Sequence, residues 1–150
     1  MVCNIIEYIN ENLNREITIN ELSKIFSYDK TYIMKRFKRE LNITIREYIN
    51  VKKILNSLEH YNYDNKILNI AFKSGYNSLE YYSEIFTTLV GVSPRVYKKY
   101  ILPVNNLTDN EINIIRLNIT NLITIDTKVK KYLTNQKPKE LPVRKLSIFN

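Results

Sequence analysis

The sequence predicts an all-α protein in which one supersecondary unit is used twice, and three observations predict it. First, Ser27-Tyr28, Phe37, Asn42-Ile43-Thr44 and Tyr48 recur as Gly75-Tyr76, Phe86, Gly91-Val92-Ser93 and Tyr97. The offset is 48 residues ahead of the second aromatic and 49 from it onward, so a duplicated unit carries a single inserted residue. Second, apolar side chains return at helical spacing through most of the first hundred residues. Third, helix-start signals precede several of those stretches.

The elements follow in order. Ile5, Ile6, Ile9 and Leu13 share one stripe of an opening helix, with Glu7, Asn10, Glu11 and Asn14 outside it. Thr18-Ile19-Asn20-Glu21 reads as a capping box, opening a second helix that runs to about Phe26 and buries Leu22, Ile25 and Phe26. Ser27-Tyr28 makes the turn, and Asp29 caps a third helix that continues to about Leu41. Ile33, Phe37 and Leu41 form its buried edge; the opposite side carries Thr31, Lys35, Lys38 and Arg39, with Met34 at the margin. Asn42 tolerates the left-handed conformation of a helix end, and Ile45 to His60 forms a fourth helix, about 24 Å long at 1.5 Å per residue.

The second copy opens near Asn65 or Lys66 and buries Ile67, Ile70 and Ala71. Gly75 supplies the turn, where a positive φ costs nothing. Asn77-Ser78-Leu79-Glu80 reads as another capping box, and the sixth helix reaches about Val90 with Tyr82, Phe86 and Leu89 inward. Gly91 ends it. Ser93-Pro94 starts a seventh helix that packs through Val96, Tyr97 and Tyr100. Each copy is thus a short helix, a tight turn and a longer helix, the arrangement of a helix-turn-helix reader of DNA.

Pro103 marks the expected edge between a domain of residues 1–103 and a C-terminal extension of residues 104–150, a docking segment or part of an effector or interaction domain. Thr108-Asp109-Asn110-Glu111 could cap one more helix, whereas Leu117-Asn118-Ile119 and Ile123-Thr124-Ile125 alternate as strands do. From Gln136 to Asn150 the chain holds Pro138 and Pro142 and an apolar group of Leu146, Ile148 and Phe149, to which no element is assigned.

Composition narrows the function. The 150 residues hold 23 Lys and Arg against 15 Asp and Glu, a net charge of +8 that favours a polyanionic partner. Lys30, Lys35, Arg36, Lys38 and Arg39 fall within ten residues. The single Cys3 forms no intrachain disulfide, and a cytoplasmic setting follows most simply. One Cys and one His60 cannot build a structural zinc site of familiar spacing and give a nucleophile pair poor material. With no carboxylate pair and no phosphate loop either, the reading is not an enzyme, and no cofactor is expected. Asn4 and Glu7 break the N-terminal apolar run, which is neither a signal peptide nor a membrane span.

Residues 5 to 100 resemble the DNA-binding domain of the AraC/XylS family of bacterial transcription regulators. The second half carries the stronger likeness, through Ile70-Ala71, Gly75-Tyr76, Tyr82, Ser83, Phe86, Gly91-Val92-Ser93-Pro94 and Tyr97-Lys98-Lys99. The first half matches through Leu22, Tyr28, Ile33, Phe37-Lys38, Tyr48-Ile49 and Lys53. The resemblance implies seven helices in two helix-turn-helix lobes joined by the fourth helix, binding one asymmetric site that spans two major-groove elements. Carried over by position, the base-reading residues are Thr31, Met34 and Lys35 in the first lobe and Leu79, Glu80, Ser83 and Glu84 in the second. Candidates for the phosphate backbone are Lys30, Arg36, Lys38, Arg39, Lys53, Lys98 and Lys99.

The sequence departs from the family pattern at Glu84, Thr87 and Thr88, where basic or amide side chains are common. A carboxylate is repelled by phosphates, and its one favourable base contact is acceptance from a cytosine amino group. Unequal lobes are therefore expected, the third helix carrying most of the affinity. Glu80 and Glu84 read more readily as plain surface than as cytosine readers. A solvated face is the plain alternative for the basic cluster, and Lys53 reads equally as a phosphate ligand or a contact to the adjacent helix. Tyr48 and Tyr97 read as packing residues, Cys3 and His60 as structural ones.

Two functions remain to be separated. One is a regulator of transcription that binds double-stranded DNA as a monomer, with RNA polymerase as the partner the resemblance implies, no small-molecule effector and no membrane association. The other is a protein-interaction adaptor derived from such a regulator, whose acidic second lobe docks on a protein instead of DNA.

Overall fold

The structure, a computed structural model, describes residues 1–102 and 106–149, with side chains through residue 136. The described residues form eight helices: α1 (Val2–Glu11), α2 (Ile19–Phe26), α3 (Lys30–Leu41), α4 (Ile45–Leu58), α5 (Ile67–Lys73), α6 (Leu79–Val90), α7 (Pro94–Ile101) and α8 (Asp109–Phe149). Side-chain caps fix most of the starts. Thr18, Asp29, Thr44, Ser78 and Ser93 each accept from an amide two or three residues on, at 3.0–3.3 Å.

The repeat is visible in the packing. Phe37 meets Tyr48 with ring centroids 6.0 Å apart, and Phe86 meets Tyr97 at 5.7 Å. Ile33, Phe37 and Leu41 are buried on α3, and Tyr82, Phe86 and Val90 at the equivalent positions of α6. Left-handed residues stand at Ser27 and Gly75 after the short helices, and at Asn42 and Gly91 after the longer ones. The caps Asp29 and Ser78 are 49 positions apart whereas Ser27 and Gly75 are 48 apart, so the inserted residue lies in the second turn.

Two apolar cores result. Helices α1, α2 and α3 close the first around Ile5, Ile6, Ile9, Leu22, Ile33 and Phe37. Helices α5, α6 and α7 close the second around Ile70, Tyr82, Phe86 and Tyr97. Helix α4 serves both, giving Ile45, Tyr48 and Ile49 to the first and Val51 and Ile54 to the second. A buried polar chain braces the second: Tyr82 donates to Ser57 at 2.9 Å, Ser57 to the Ile54 carbonyl at 2.7 Å, and Tyr61 and Tyr82 share a bond of 2.7 Å. Burial pushes the Tyr82 phenol up to about 12, so the chain stays neutral at ordinary pH.

Several expectations are corrected. The segments 117–119 and 123–125, read as alternating strands, lie inside α8. Thr108 opens that helix with a complete capping box: its hydroxyl accepts from the Glu111 amide at 3.1 Å and its own amide donates to the Glu111 carboxylate at 3.0 Å. In each segment the two apolar residues face different ways on the helix: Leu117 and Ile123 are exposed, while Ile119 and Ile125 pack partly against the second core. Ile25 is 49% exposed, since α2 has only eight residues and turns that side away from α1 and α3. The cap of α6 is Ser78, one residue later than expected, which places Tyr81 rather than Glu80 at the third position and removes the reciprocal carboxylate bond. Helix α4 ends at Leu58, giving about 21 Å of rod. Pro103 lies outside the described residues, as do the side chains of Pro138, Pro142, Leu146, Ile148 and Phe149.

Helix α8 is the element least like the expectation. It returns along the molecule and enters both cores: Ile115 and Leu122 are buried in the second, Val129 in the first. Between them Asp126 accepts from Lys52 of α4 at 2.9 Å, both side chains 14% exposed. The closeness of α8 explains Gly91 as well as its φ of 88° does, for a Cβ there would stand 2.6 Å from Ile114 and Asn118.

Candidate nucleic-acid interface

Helix α3 owes its exposed face to the spacing of its apolar residues. With Ile33, Phe37 and Leu41 committed to the core, Lys30, Thr31, Lys35, Lys38 and Arg39 are left exposed, and Met34 lies 45% exposed beside them. Lys38 donates to the Asn42 carbonyl at 3.3 Å and so also caps the helix. Arg36 is turned sideways, donating to the Tyr32 hydroxyl at 2.9 Å and pairing with Glu40 at 3.4 Å.

The same positions on α6 are differently charged. Glu80 and Glu84 are exposed, Ser83 is half-buried, and Leu79 packs partly against the second core. Thr87 and Thr88 are exposed, but their hydroxyls donate back to the Ser83 and Glu84 carbonyls at 2.7 and 2.9 Å. Equivalent pairs are thus Lys35 and Glu84, Lys38 and Thr87, Arg39 and Thr88. One lobe offers a cationic face, the other an acidic and neutral one.

A cleft of about 500 Å³ separates the lobes, and both longer helices border it. Met34 of α3 stands on one side, Ser78 and Tyr81 at the start of α6 on the other, with Ile45, Ile49 and Asn50 of α4 between. Arg46, one residue inside α4, is an exposed cation on this cleft, its guanidinium 3.5 Å from the Tyr81 hydroxyl. Neither Arg46 nor Tyr81 was expected at the site. Their position at the start of a helix bordering the turn was legible, but which helix starts face one another was not.

Across the floor of the cleft the lobes are tied together. Gly75 approaches the first lobe so closely that a Cβ would meet the Leu13 carbonyl oxygen at 2.3 Å. Lys53 is 4% exposed, donates to the Gly75 carbonyl at 2.8 Å and lies over the Tyr76 ring at 5.2 Å. Burial holds its amine below the usual lysine value. Lys53 is thus engaged at the joint between the lobes, beside the cleft that it also lines. Asn77, the inserted residue, donates to Glu16 of the first lobe at 3.0 Å. Lys98 is tied to the Asn65 carbonyl at 2.9 Å, whereas Lys99 is exposed.

Among the described residues, no three His, Cys, Asp or Glu side chains come together as a metal site, and no helix is long and apolar enough to cross a membrane.

Known proteins share this fold. A family model described as a helix-turn-helix domain matches residues 22–100. The melibiose operon regulatory protein of Escherichia coli (strain K12) is 30% identical over 104 residues, which are 65% of this chain and 33% of that protein. The transcriptional regulatory protein HptR of Staphylococcus aureus (strain NCTC 8325 / PS 47) is 30% identical over 95 residues, 63% of this chain and 38% of that one. The chain therefore spans 33% and 38% of the length of these two relatives. In fold it is similar to the C-terminal domain of AraT, a response regulator from Geobacillus stearothermophilus, with a TM-score of 0.64, 23% identity, and coverage of 72% of this chain and 90% of that one. It is similar also to the DNA-binding domain of AdpA, a global transcriptional factor crystallised with a target DNA, with a TM-score of 0.60, 15% identity, and coverage of 65% and 88%.

Proposed function

The chain belongs to the AraC-type helix-turn-helix family of DNA-binding transcription regulators, and on that premise we propose that it reads a two-part site in double-stranded DNA, with α3 and α6 in successive major grooves and the first lobe dominant. The observation that carries this reading is the contrast of the two exposed faces. Lys35, Lys38 and Arg39 on α3 can neutralise phosphates and release counterions, and Thr31, Met34 and Lys35 are free to meet base edges. Glu80 and Glu84 on α6 repel the backbone and leave that lobe to weak or cytosine-directed contacts. Lys30, Lys38, Arg39 and Lys99 are the exposed cations assigned to the backbone, Arg46 joins them from the cleft, and Arg36 and Lys98 play lesser parts because each is half-buried as well as partnered.

The chemistry suits a cytoplasmic regulator that binds as a monomer, since both readers sit in one chain. Whether a bound protein contacts RNA polymerase or blocks it is set by where its site lies. Selection of bound duplexes from a random pool tests the reading. The wild-type chain is expected to yield a bipartite motif whose affinity falls by orders of magnitude between about 50 and 200 mM salt. Lys35→Ala is expected to relax one half of that motif, and Glu84→Ala to leave the motif intact or strengthen binding generally. Loss of the motif in Glu84→Ala with no change in Lys35→Ala would reverse the ranking of the lobes. No sequence preference at all, with a protein partner captured instead, would replace this reading by the adaptor.

A further inference from the structure

Helix α8 touches the two lobes at separate points and the linker between them. Val129 is buried in the first core, with Tyr132 and Leu133 packed partly against it; Ile115 and Leu122 are buried in the second, with Ile114, Ile119 and Ile125 around them. Midway, Asp126 is held by Lys52 of α4 at 2.9 Å and by Lys130 at 3.2 Å. At 100° per residue, Lys52 stands about 90° around α4 from the middle of the residues that line the cleft, Ile45, Arg46, Ile49, Asn50 and Lys53. The long helix therefore lies along the flank of the linker, beside the face that α3 and α6 border.

Two readers joined by one linker gain affinity for a double site in proportion to how often the second stands correctly once the first has bound. A linker alone fixes one end of each lobe and leaves it a hinge. Here the contacts of Gly75 and Asn77 with the first lobe brace one side of that hinge, and a second rod anchored in both cores restrains it further and lowers the ordering cost of binding. We infer that α8 is a strap that sets the distance and rotational phase between α3 and α6, so that this protein discriminates between DNA sites by the spacing of their halves as well as by their bases. Val129, Leu122 and Asp126 are then positioning residues for recognition, although they touch no DNA. The inference rests on the two-groove reading above.

The test pairs a DNA readout with one that needs no DNA. For the first, affinity is measured on duplexes carrying both selected half-sites at a series of spacings one base pair apart. The wild type is expected to show a sharp optimum, losing about tenfold for a one-pair change, which rotates one half-site by about a tenth of a turn. Val129→Asp, which puts a charge in the first core and frees α8 from that lobe alone, is expected to keep its affinity for a single half-site while the optimum flattens to within about threefold. Asp126→Lys, which leaves both cores untouched, is expected to flatten it partly, and Lys52→Asp combined with Asp126→Lys to restore it. For the second, spin labels at Lys24→Cys and Lys73→Cys, in a Cys3→Ser background, report the distance between lobes. A narrow distribution in the wild type that broadens in Asp126→Lys and narrows again in the double swap supports the strap even where Val129→Asp fails to fold. Unchanged distributions and an unchanged spacing optimum in the charge variants would overturn it. A wild type that prefers no spacing, yet shows the label broadening, would sink the two-groove reading and leave the strap standing.

Discussion

Ser27 and Gly75 occupy the same place in the two lobes, both with positive φ, at 58° and 87°. A left-handed residue with a Cβ costs of order 1 kcal/mol, so Ser27, exposed at its turn, carries strain that Gly75 does not. Ser27→Gly is expected to raise the thermal midpoint by about 2–4 °C, the shift that roughly 1 kcal/mol produces in a chain of this size. The reverse exchange has the opposite sign for an added reason. Gly75→Ser drives a Cβ to 2.3 Å from the Leu13 carbonyl oxygen, backbone against backbone, and is expected to cost about 2 kcal/mol or more, read by urea denaturation. Equal effects at the two sites would mean that the close approach of the lobes is absent in solution. Glu21 gives a residue-scale effect of pH. The Arg15 guanidinium beside it, donating at 3.0 Å, holds its carboxyl at about 2, against an ordinary 4.5, with help from the Tyr8 hydroxyl and the Thr18 amide. A carboxylate so depressed stabilises the fold above its unfolded value and loses that contribution as pH falls from about 4.5 toward 2. Glu21→Gln should therefore flatten the acid limb of a stability curve over that window. The group is partly exposed, so the effect is a small one, and a limb as steep as in the wild type would show that other carboxylates carry it.

At the scale of the element, helices were legible wherever a cap and an apolar stripe agreed, as at Thr18 with Leu22, Asp29 with Ile33, Phe37 and Leu41, and Ser93-Pro94 with Tyr97. A stripe alone sufficed for α1 and α5, which have no side-chain cap, whereas a cap alone did not carry α8. In α8 the cap at Thr108 was clear, but Thr120 and Thr124 and the scattered isoleucines favour strand locally, and burial against two lobes overrides that preference. The sequence could show that α4 begins near Ile45, yet not that Lys53, two turns on, points into the joint between lobes while Lys52 points to α8. Adjacent lysines on a helix differ by 100° in direction, and only the packing says what each meets. This gives the element-scale prediction. Lys38→Ala on the open face of α3 should weaken binding to all sequences and reduce the salt slope of the binding constant by about one. Lys53→Met, of similar length, should leave that slope unchanged, because the amine it removes is buried and donates to the Gly75 carbonyl. A slope reduced equally in both would place Lys53 on the DNA after all and require the lobes to open on binding.

For the whole molecule, the question is whether two small cores behave as one. Each lobe taken alone is a three- or four-helix cluster of the size that is only marginally stable, and burial rises with size. Helix α4 gives apolar side chains to both, and α8, along its flank, does so again. Two such shared elements, with the buried Lys53 and the Asn77–Glu16 bond across the joint, make it costly to unfold one lobe and leave the other, since the shared helices would then expose half of their buried faces. Native-state hydrogen exchange is therefore expected to give the most protected amides of α3 and α6 one common opening free energy. Leu122→Ala, at the second core on α8, should cost about 2–5 kcal/mol and lower the protection of both helices by the same amount, although α3 lies in the other lobe. Protection lost in α6 alone would show two independent foldons. The free protein would then be a hinged pair whose geometry is imposed by DNA rather than brought to it, and the affinity for a double site would carry the whole ordering cost.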